Sequence, residues 1–112
     1  MNPRTSADGM NGILGWIGEL QGSLPERNLL QPLASLHEEC GELATEILIK
    51  EGYKHRMAGP DGVVGEAVDA ILCLLDIIVK EQPGITYTMI HRVMEKKMCK
   101  WQDKYTTTGV NK

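Results

Sequence analysis

The sequence predicts an all-α protein whose protomer is a four-helix bundle. Apolar residues recur at alternating intervals of three and four in four separate stretches, which is the repeat of an amphipathic helix. The 112 residues include no Phe, two Trp and three Tyr. The core must therefore be built from aliphatic side chains and Met, a composition that suits packed helices better than sheets of aromatic-rich strands.

The first two helices are delimited by Gly, Pro and a capping residue. The apolar face of the first helix consists of Ile13, Trp16, Ile17 and Leu20. Gly22 and Pro25 are expected to end this helix. The second helix is predicted to begin after Asn28, a possible N-cap, and to reach about Lys50.

A loop is predicted between the second and third helices, because the segment EGYKHRMAGP at 51–60 holds two Gly and a Pro. Asp61 is expected to cap the third helix, roughly 62–80, which Pro83 and Gly84 end. The fourth helix is predicted from about Thr86 to about Tyr105. No internal repeat is visible.

The chain length predicts a single domain covering 1–112, with residues 1–9 and 106–112 flexible. The net charge of −3 gives no electrostatic footprint for nucleic acid. We expect no membrane span, because three acidic residues interrupt the most apolar run, Val63 to Val79. The N-terminus has no signal-peptide pattern, and the three scattered cysteines resemble buried free thiols. A cytoplasmic location is therefore predicted.

The third helix predicts self-association. Its large aliphatic residues, from Val64 to Val79, are distributed around almost the whole helix. A lone bundle of four short helices covers such a helix poorly, so a second copy is the natural neighbour. We expect a homodimer or homotetramer with this helix at or near the interface.

Acidic residues form two matched pairs. Glu39 and Glu42 lie three residues apart in the second helix, and Glu66 and Asp69 have the same spacing in the third. Residues three apart share one face of a helix and are close enough to share a cation. If the two pairs face each other, a hard cation such as Mg²⁺ would relieve their repulsion. The alternative is that each pair marks a solvated helix face, which is common for this spacing.

The segments EECGEL and EAVD, with 23 residues between Glu42 and Glu66, resemble the MazG-like nucleotide pyrophosphohydrolases. This all-helical family is described by ExxE, a variable spacer and ExxD, and the resemblance extends over roughly Trp16 to Tyr105. It implies the all-alpha NTP pyrophosphatase fold, assembled as a dimer or tetramer. It also implies that Glu39, Glu42, Glu66 and Asp69 are magnesium ligands.

The fourth helix departs from the family pattern. Lys97 matches a family lysine, but Trp101 stands where Asn is expected and Lys104 where Arg is expected. The resemblance implies phosphate contacts by Lys97 and Lys104, with Lys97 also a catalytic candidate. Arg offers a two-pronged contact and Lys only a point charge, so these contacts differ in detail from those of the family.

Further candidates surround the proposed ligands. Glu38 is adjacent to Glu39 and is a candidate to polarise the attacking water. Lys54 and Arg56 are candidates to fold over the triphosphate. By the resemblance, Trp16 is a candidate to stack on the nucleobase. Asp76, seven residues beyond Asp69, is a candidate to contact sugar or metal. Each also has a structural alternative: a solvated carboxylate, a solvated loop or a core tryptophan.

The function expected from the resemblance is Mg²⁺-dependent hydrolysis of a nucleoside triphosphate, deoxynucleotides included, to the monophosphate and pyrophosphate. Mn²⁺ is a possible substitute for Mg²⁺. One alternative is a narrower substrate such as dUTP, dCTP or phosphoribosyl-ATP. The other is a non-catalytic helical interaction protein whose acidic residues are merely solvated.

Overall fold

The computed structural model describes residues 9–24 and 28–110, and the side chains among them up to residue 106. The described residues form four helices and no strand: α1 (Met10–Ser23), α2 (Leu30–Lys50), α3 (Gly62–Glu81) and α4 (Tyr87–Val110). The all-α class and the four predicted helices are confirmed. The predicted N-terminal arm, apart from Gly9, and Pro25 lie outside the described residues.

The helix ends agree with the sequence prediction except at the C-terminal end of α4. Asn28 lies one residue before the N-cap of α2, which is Leu29, and its Oδ1 accepts a hydrogen bond of 2.9 Å from the backbone N–H of Leu30. Asp61 occupies the predicted N-cap position of α3, although its side chain makes no capping hydrogen bond. Helix α4 continues to Val110, past its predicted end near Tyr105.

Helices α2 and α3 form the most extensive helix pair of the described residues. The backbone N–H of Gly59 donates a 2.7 Å hydrogen bond to Glu46 Oε1, close to the loop that joins the two helices. Farther from the loop, Glu42 lies near Glu66, and Ser35 of α2 borders the same pocket as α3 residues near its C-terminal end. Residue numbers therefore descend along α2 as they ascend along α3, so the pair is antiparallel.

The buried core is small and lies where α1, α3 and the start of α4 meet. It consists of Leu14, Leu75, Val79 and Ile90, with four partly buried isoleucines packed against it. The Asn11 side chain accepts a 2.8 Å hydrogen bond from the backbone N–H of Tyr87, which ties the start of α4 to α1. This core fixes α3 relative to α1.

Beyond Ile90, α4 extends away from the other described helices. Every described side chain from His91 to Thr106 is exposed, and among the described helices the backbone of α4 comes close only to that of α1. The exposed residues include Val93 (52% exposed) and Trp101 (58%). One face of α4 therefore presents large apolar side chains to solvent.

Helix α3 is also incompletely covered. Val64 is 76% exposed, and Ile71 is 48% exposed. Four helices of this size were expected not to cover α3, and the exposed fractions agree with that expectation.

The cysteine prediction was partly wrong. All three cysteines are free, but Cys40 and Cys99 are exposed and only Cys73 is partly buried. Cys40 lies on the solvent side of α2, and Cys99 lies on the exposed part of α4, where no neighbouring element covers it. Among the described residues, no helix has the length and apolarity needed to cross a membrane.

Candidate metal centre

The two acidic pairs face each other across the α2–α3 contact. Carboxylate oxygens of Glu39, Glu42 and Glu66 all lie within 4.8 Å of one another. A second group with the same spacing consists of Asp61, Glu66 and Asp69. Glu66 belongs to both groups, so the five carboxylates form one cluster, referred to below as the acidic cluster. All four sequence-predicted ligands lie in it.

Two oxygens in the acidic cluster lack partners. Glu39 Oε2 and Glu66 Oε2 are both inaccessible to solvent, and neither has a hydrogen-bond partner among the described residues. A buried, unsatisfied carboxylate oxygen is costly, because it has lost its water and gained nothing in exchange. A cation between α2 and α3 would satisfy both oxygens.

Two carboxyl groups of the acidic cluster, those of Glu39 and Glu66, have a raised pKa. Burial, followed by a hydrogen bond and charge repulsion from Glu42, raises the pKa of Glu66 to about 6. The pKa of Glu39 is raised as well, first by burial and then by the negative charges of Glu42 and Asp69. Both effects penalise the ionised form, and a bound cation would reverse the charge repulsion.

Asp61 can place its side chain in the acidic cluster because Gly65 has no side chain to displace it. A Cβ on Gly65 would collide with the Asp61 side chain, so a larger residue there would push Asp61 away. Asp61 is exposed and Glu66 and Asp69 are half-buried. The start of α3 thus presents three carboxylates in one place, of which sequence analysis identified two.

The donors favour a hard cation over zinc. Every ligand in the cluster is a carboxylate, and carboxylate oxygens are the ligands that Mg²⁺ prefers. Cys73 lies nearby, but burial, and then the charges of Glu39 and Asp76, raise the pKa of its thiol. The thiol therefore stays protonated at neutral pH, and a protonated thiol is a poor metal ligand.

A pocket of about 500 Å³ lies among α1, α2 and α3. Its lining includes Trp16 and Asp76, two of the sequence-predicted substrate contacts. Its volume is within the range of small-molecule sites. Cys73, also in the lining, is one helical turn from Asp69. The α3 wall of the pocket is therefore about one helical turn from the acidic cluster, and Trp16 and Asp76 share this pocket.

Lys54, Arg56 and Glu38 are exposed. Lys54 and Arg56 lie in the loop between α2 and α3, which ends at Asp61. The hydrogen bond between Gly59 and the buried Glu46 fixes this end of the loop. Glu38 is on the exposed side of α2, and its charge contributes to the raised pKa of Glu39.

Lys97 and Lys104 are not brought to the acidic cluster within one protomer. Both lie on the exposed part of α4, beyond the core residue Ile90, and no close backbone contact of α4 with α2 or α3 is found among the described residues. A role for these lysines at the cluster would need α4 from another copy.

Two residues of the candidate site, Asp61 and Gln21, were not predicted from the sequence. Asp61 lies outside the helical repeat, and its place in the cluster depends on the turn before α3. Gln21 donates hydrogen bonds from Nε2 to the backbone oxygen of Asp76 (2.9 Å) and to its Oδ1 (2.6 Å). The two residues are 55 apart in sequence, so no local pattern could pair them.

Comparisons of the chain with protein-family models, with curated proteins and with solved structures find no match.

Proposed function

We propose that this protein is a Mg²⁺-dependent nucleoside triphosphate pyrophosphohydrolase that converts (d)NTP to (d)NMP and pyrophosphate. The observation that carries the proposal is the pair of unpartnered, solvent-inaccessible oxygens on Glu39 and Glu66, within a cluster of five carboxylates. The resemblance of the ExxE and ExxD segments to the MazG-like family supplies the reaction.

The acidic cluster fits Mg²⁺ in charge and donor type. Glu39, Glu42, Glu66 and Asp69 are the proposed ligands, and Asp61 is a fifth carboxylate within reach of Glu66 and Asp69. Mg²⁺ is usually held by a few carboxylates together with water and substrate phosphates. Mn²⁺ has similar ligand preferences and is a possible substitute.

In the proposed reaction, water adds to phosphorus, the α–β anhydride bond breaks and pyrophosphate leaves. When bound, Mg²⁺ neutralises phosphate oxygens and makes water easier to deprotonate. Glu38 is the proposed proton acceptor, because it neighbours Glu39 and is exposed to incoming water. Lys54 and Arg56 are proposed to bind the phosphates, since their loop ends at the acidic cluster.

The pocket beside the cluster is the proposed nucleoside site. Trp16 offers a flat apolar surface for a base, and Asp76 lies at the side of the pocket formed by α3. The base would then bind on the α1 side of α3 while the phosphates reach the acidic cluster.

We infer that the working protein is a homodimer or homotetramer. The exposed apolar side chains of α4 beyond Ile90 and of α3 need a covering surface, and a second copy offers the same surface in return. Lys97 and Lys104 lie on α4, away from the acidic cluster of their own protomer. An interface through α4 would supply them to the cluster of a neighbouring copy.

The decisive experiment combines binding and turnover. Calorimetric titration with Mg²⁺ and a non-hydrolysable triphosphate tests the site, and a pyrophosphate-release screen over the (d)NTPs tests the reaction. We expect binding that requires Mg²⁺ and release of one pyrophosphate per monophosphate. Absence of both would indicate a non-catalytic helical protein with solvated acidic residues.

A further inference from the structure

Glu46 on α2 is a buried residue that the proposed reaction does not use. It is 8% exposed, and its Oε1 accepts a 2.7 Å hydrogen bond from the backbone N–H of Gly59. A carboxylate removed from water needs such a partner, because a buried charge without hydrogen bonds is costly. Gly59 fits against this oxygen because it has no side chain: a Cβ there would lie 2.5 Å from Oε1. The contact therefore fixes one point of the backbone near the end of the loop between α2 and α3.

The backbone that leads from this point into α3 has little freedom. Gly59 is joined to Asp61 through a single residue, Pro60, whose ring fixes its own φ and also restricts the residue before it. Directly after Asp61, Gly62 has a φ of 64°, which residues with a side chain rarely adopt. The position of Asp61 is therefore set by the turn around it, two residues from a buried hydrogen bond.

The Asp61 side chain lies with other carboxylates and does not cap its helix. An Asp at an N-cap usually accepts a hydrogen bond from an N–H of the first turn, but Asp61 has helical backbone angles (φ −85°, ψ −23°) and makes no such bond. Its carboxylate oxygen lies within 4.8 Å of oxygens of Glu66 and Asp69 instead. Like charges at this spacing repel each other. Asp61 is exposed, so the turn of the backbone is what keeps its side chain from moving away into water.

We propose that Glu46 is a positioning residue for the acidic cluster, and that it acts by holding Asp61 in place as a fifth ligand of the cation. This inference rests on the metal binding of the proposed function and adds to it two residues outside the ExxE and ExxD segments. Groups that orient metal ligands without touching the metal commonly change the affinity for the ion by roughly 10- to 100-fold. An exposed ligand that is already oriented loses less freedom when the ion binds, and the affinity rises accordingly.

Titration of the nucleotide-free protein with Mn²⁺, followed by the EPR signal of the free ion, tests the positioning without any turnover. Asp61→Asn and Glu46→Leu should each weaken Mn²⁺ binding by roughly tenfold or more. Glu46→Gln keeps an oxygen that can accept the hydrogen bond from Gly59, so it should bind Mn²⁺ nearly as tightly as the parent. Glu51→Gln is the matched control, because Glu51 is exposed at the end of α2 and belongs to neither carboxylate group.

A double variant distinguishes positioning from a general loss of structure. If Glu46 acts through Asp61, Glu46→Leu should weaken Mn²⁺ binding no further once Asp61 is replaced by Asn. Two losses that multiply would overturn the positioning role. Pro60→Gly leaves the hydrogen bond of Glu46 intact but loosens its link to Asp61, and it should weaken Mn²⁺ binding as well. This variant tests the proposal even if Glu46→Leu does not fold, and unchanged affinity in it would count against the proposal.

Metal affinity separates this inference from the proposed reaction. Weaker Mn²⁺ binding by both single variants, in a protein that hydrolyses no nucleotide, would support the positioning role and refute the reaction. Unchanged affinity in both variants of a parent that does hydrolyse nucleotides would overturn the positioning role and leave the proposed function standing. A parent that binds no Mn²⁺ would overturn both the positioning role and the metal mechanism.

Discussion

Glu42 on α2 and Glu66 on α3 bring carboxylate oxygens within 4.8 Å of each other across the contact between the two helices. The pKa of Glu66 is raised to about 6, by burial first and then by Glu42. A proton and a metal ion compete for such a pair, so binding of Mg²⁺ should release protons. The antiparallel packing of α2 against α3 creates this repulsive contact, and the small core at the other end of α3 holds it in place.

Glu42→Gln or Asp69→Asn should abolish pyrophosphate release while leaving the metal-free protein as stable as the parent or more stable. Each change removes a ligand charge and also relieves repulsion among the carboxylates. Turnover assays and thermal unfolding measure the two effects. Glu81→Gln is the matched control, because Glu81 lies at the end of α3 outside the acidic cluster. Magnesium-dependent turnover by both variants would end the four-ligand assignment.

The stability of the metal-free protein should fall as the pH rises from about 4.5 to about 6. The pKa of Glu66 is raised from 4.5 to about 6 in the folded chain, so the folded state binds more protons than the unfolded state in this window. Thermal unfolding across these pH values measures the change. Glu66→Gln should flatten the profile, and Mg²⁺ should stabilise the parent above about pH 6 more than below about pH 4.5. Equal stabilisation by Mg²⁺ at both ends would contradict this linkage.

Activity should require Mg²⁺ or Mn²⁺ and be poorly supported by Ca²⁺. Ca²⁺ is larger and accepts looser coordination, so it would misplace the attacking water among the same carboxylates. Pyrophosphate release after removal of metal with EDTA, followed by addition of one ion at a time, measures this preference. Full activity in excess EDTA would count against any metal mechanism.

Inactive variants of two kinds should complement each other. Asp69→Asn disables the acidic cluster, and Lys97→Ala removes a lysine that lies away from the cluster of its own protomer. If a neighbouring copy supplies Lys97, each mixed dimer contains one intact site, and an equal mixture regains about a quarter of parent activity. The control is the activity of each variant measured by itself, in which every dimer holds two copies of the same variant. Mixed oligomers without activity would show that Lys97 does not act across the interface.

The oligomer itself can be measured directly. Light scattering at low micromolar concentration should show no monomer, because the exposed apolar side chains of α3 and α4 favour association. Trp101→Glu places a charge on the exposed face of α4 and should weaken assembly. A 12.4 kDa species that still hydrolyses nucleotides would contradict the inferred interface.

Two glycine substitutions should change stability in opposite directions. A Cβ on Gly59 would lie 2.5 Å from Glu46 Oε1 and displace a buried carboxylate from its hydrogen bond. Gly59→Ala should therefore cost about 1–3 kcal/mol. Gly41 lies within α2, and nothing is within 4 Å of the position its Cβ would occupy. Gly41→Ala should add roughly 0.5–1 kcal/mol. Chemical denaturation measures both, and a stabilising Gly59→Ala would rule out the proposed role of Glu46.

The helices could be predicted because their limits are set by local chemistry. The Asn28 side chain accepts a hydrogen bond from the first helical N–H of α2, and the Gly and Pro residues of the connecting segments disfavour continuation of a helix. The end of α4 was missed because TTTGV carries no strong stop signal before Val110. A run of Thr only weakly disfavours a helix.

The acidic cluster was only partly predictable. The spacing of Glu39 and Glu42 places both on one face of α2, and that is local information. The closeness of Asp61 to Glu66, and of Gln21 to Asp76, depends on how the helices pack. The exposure of Cys40 and Cys99 was missed for a related reason, since an apolar repeat cannot show which faces remain uncovered in one copy.

Helix α4 beyond Ile90 has little to hold it except its own backbone hydrogen bonds. A helical segment of this length is marginal in water when no neighbour covers it. Dilution of the protein should therefore unwind it, and hydrogen exchange at its amides should slow as concentration rises. The helical content would then report the extent of association, so that folding of α4 beyond Ile90 and the inferred binding of a second copy would be a single equilibrium.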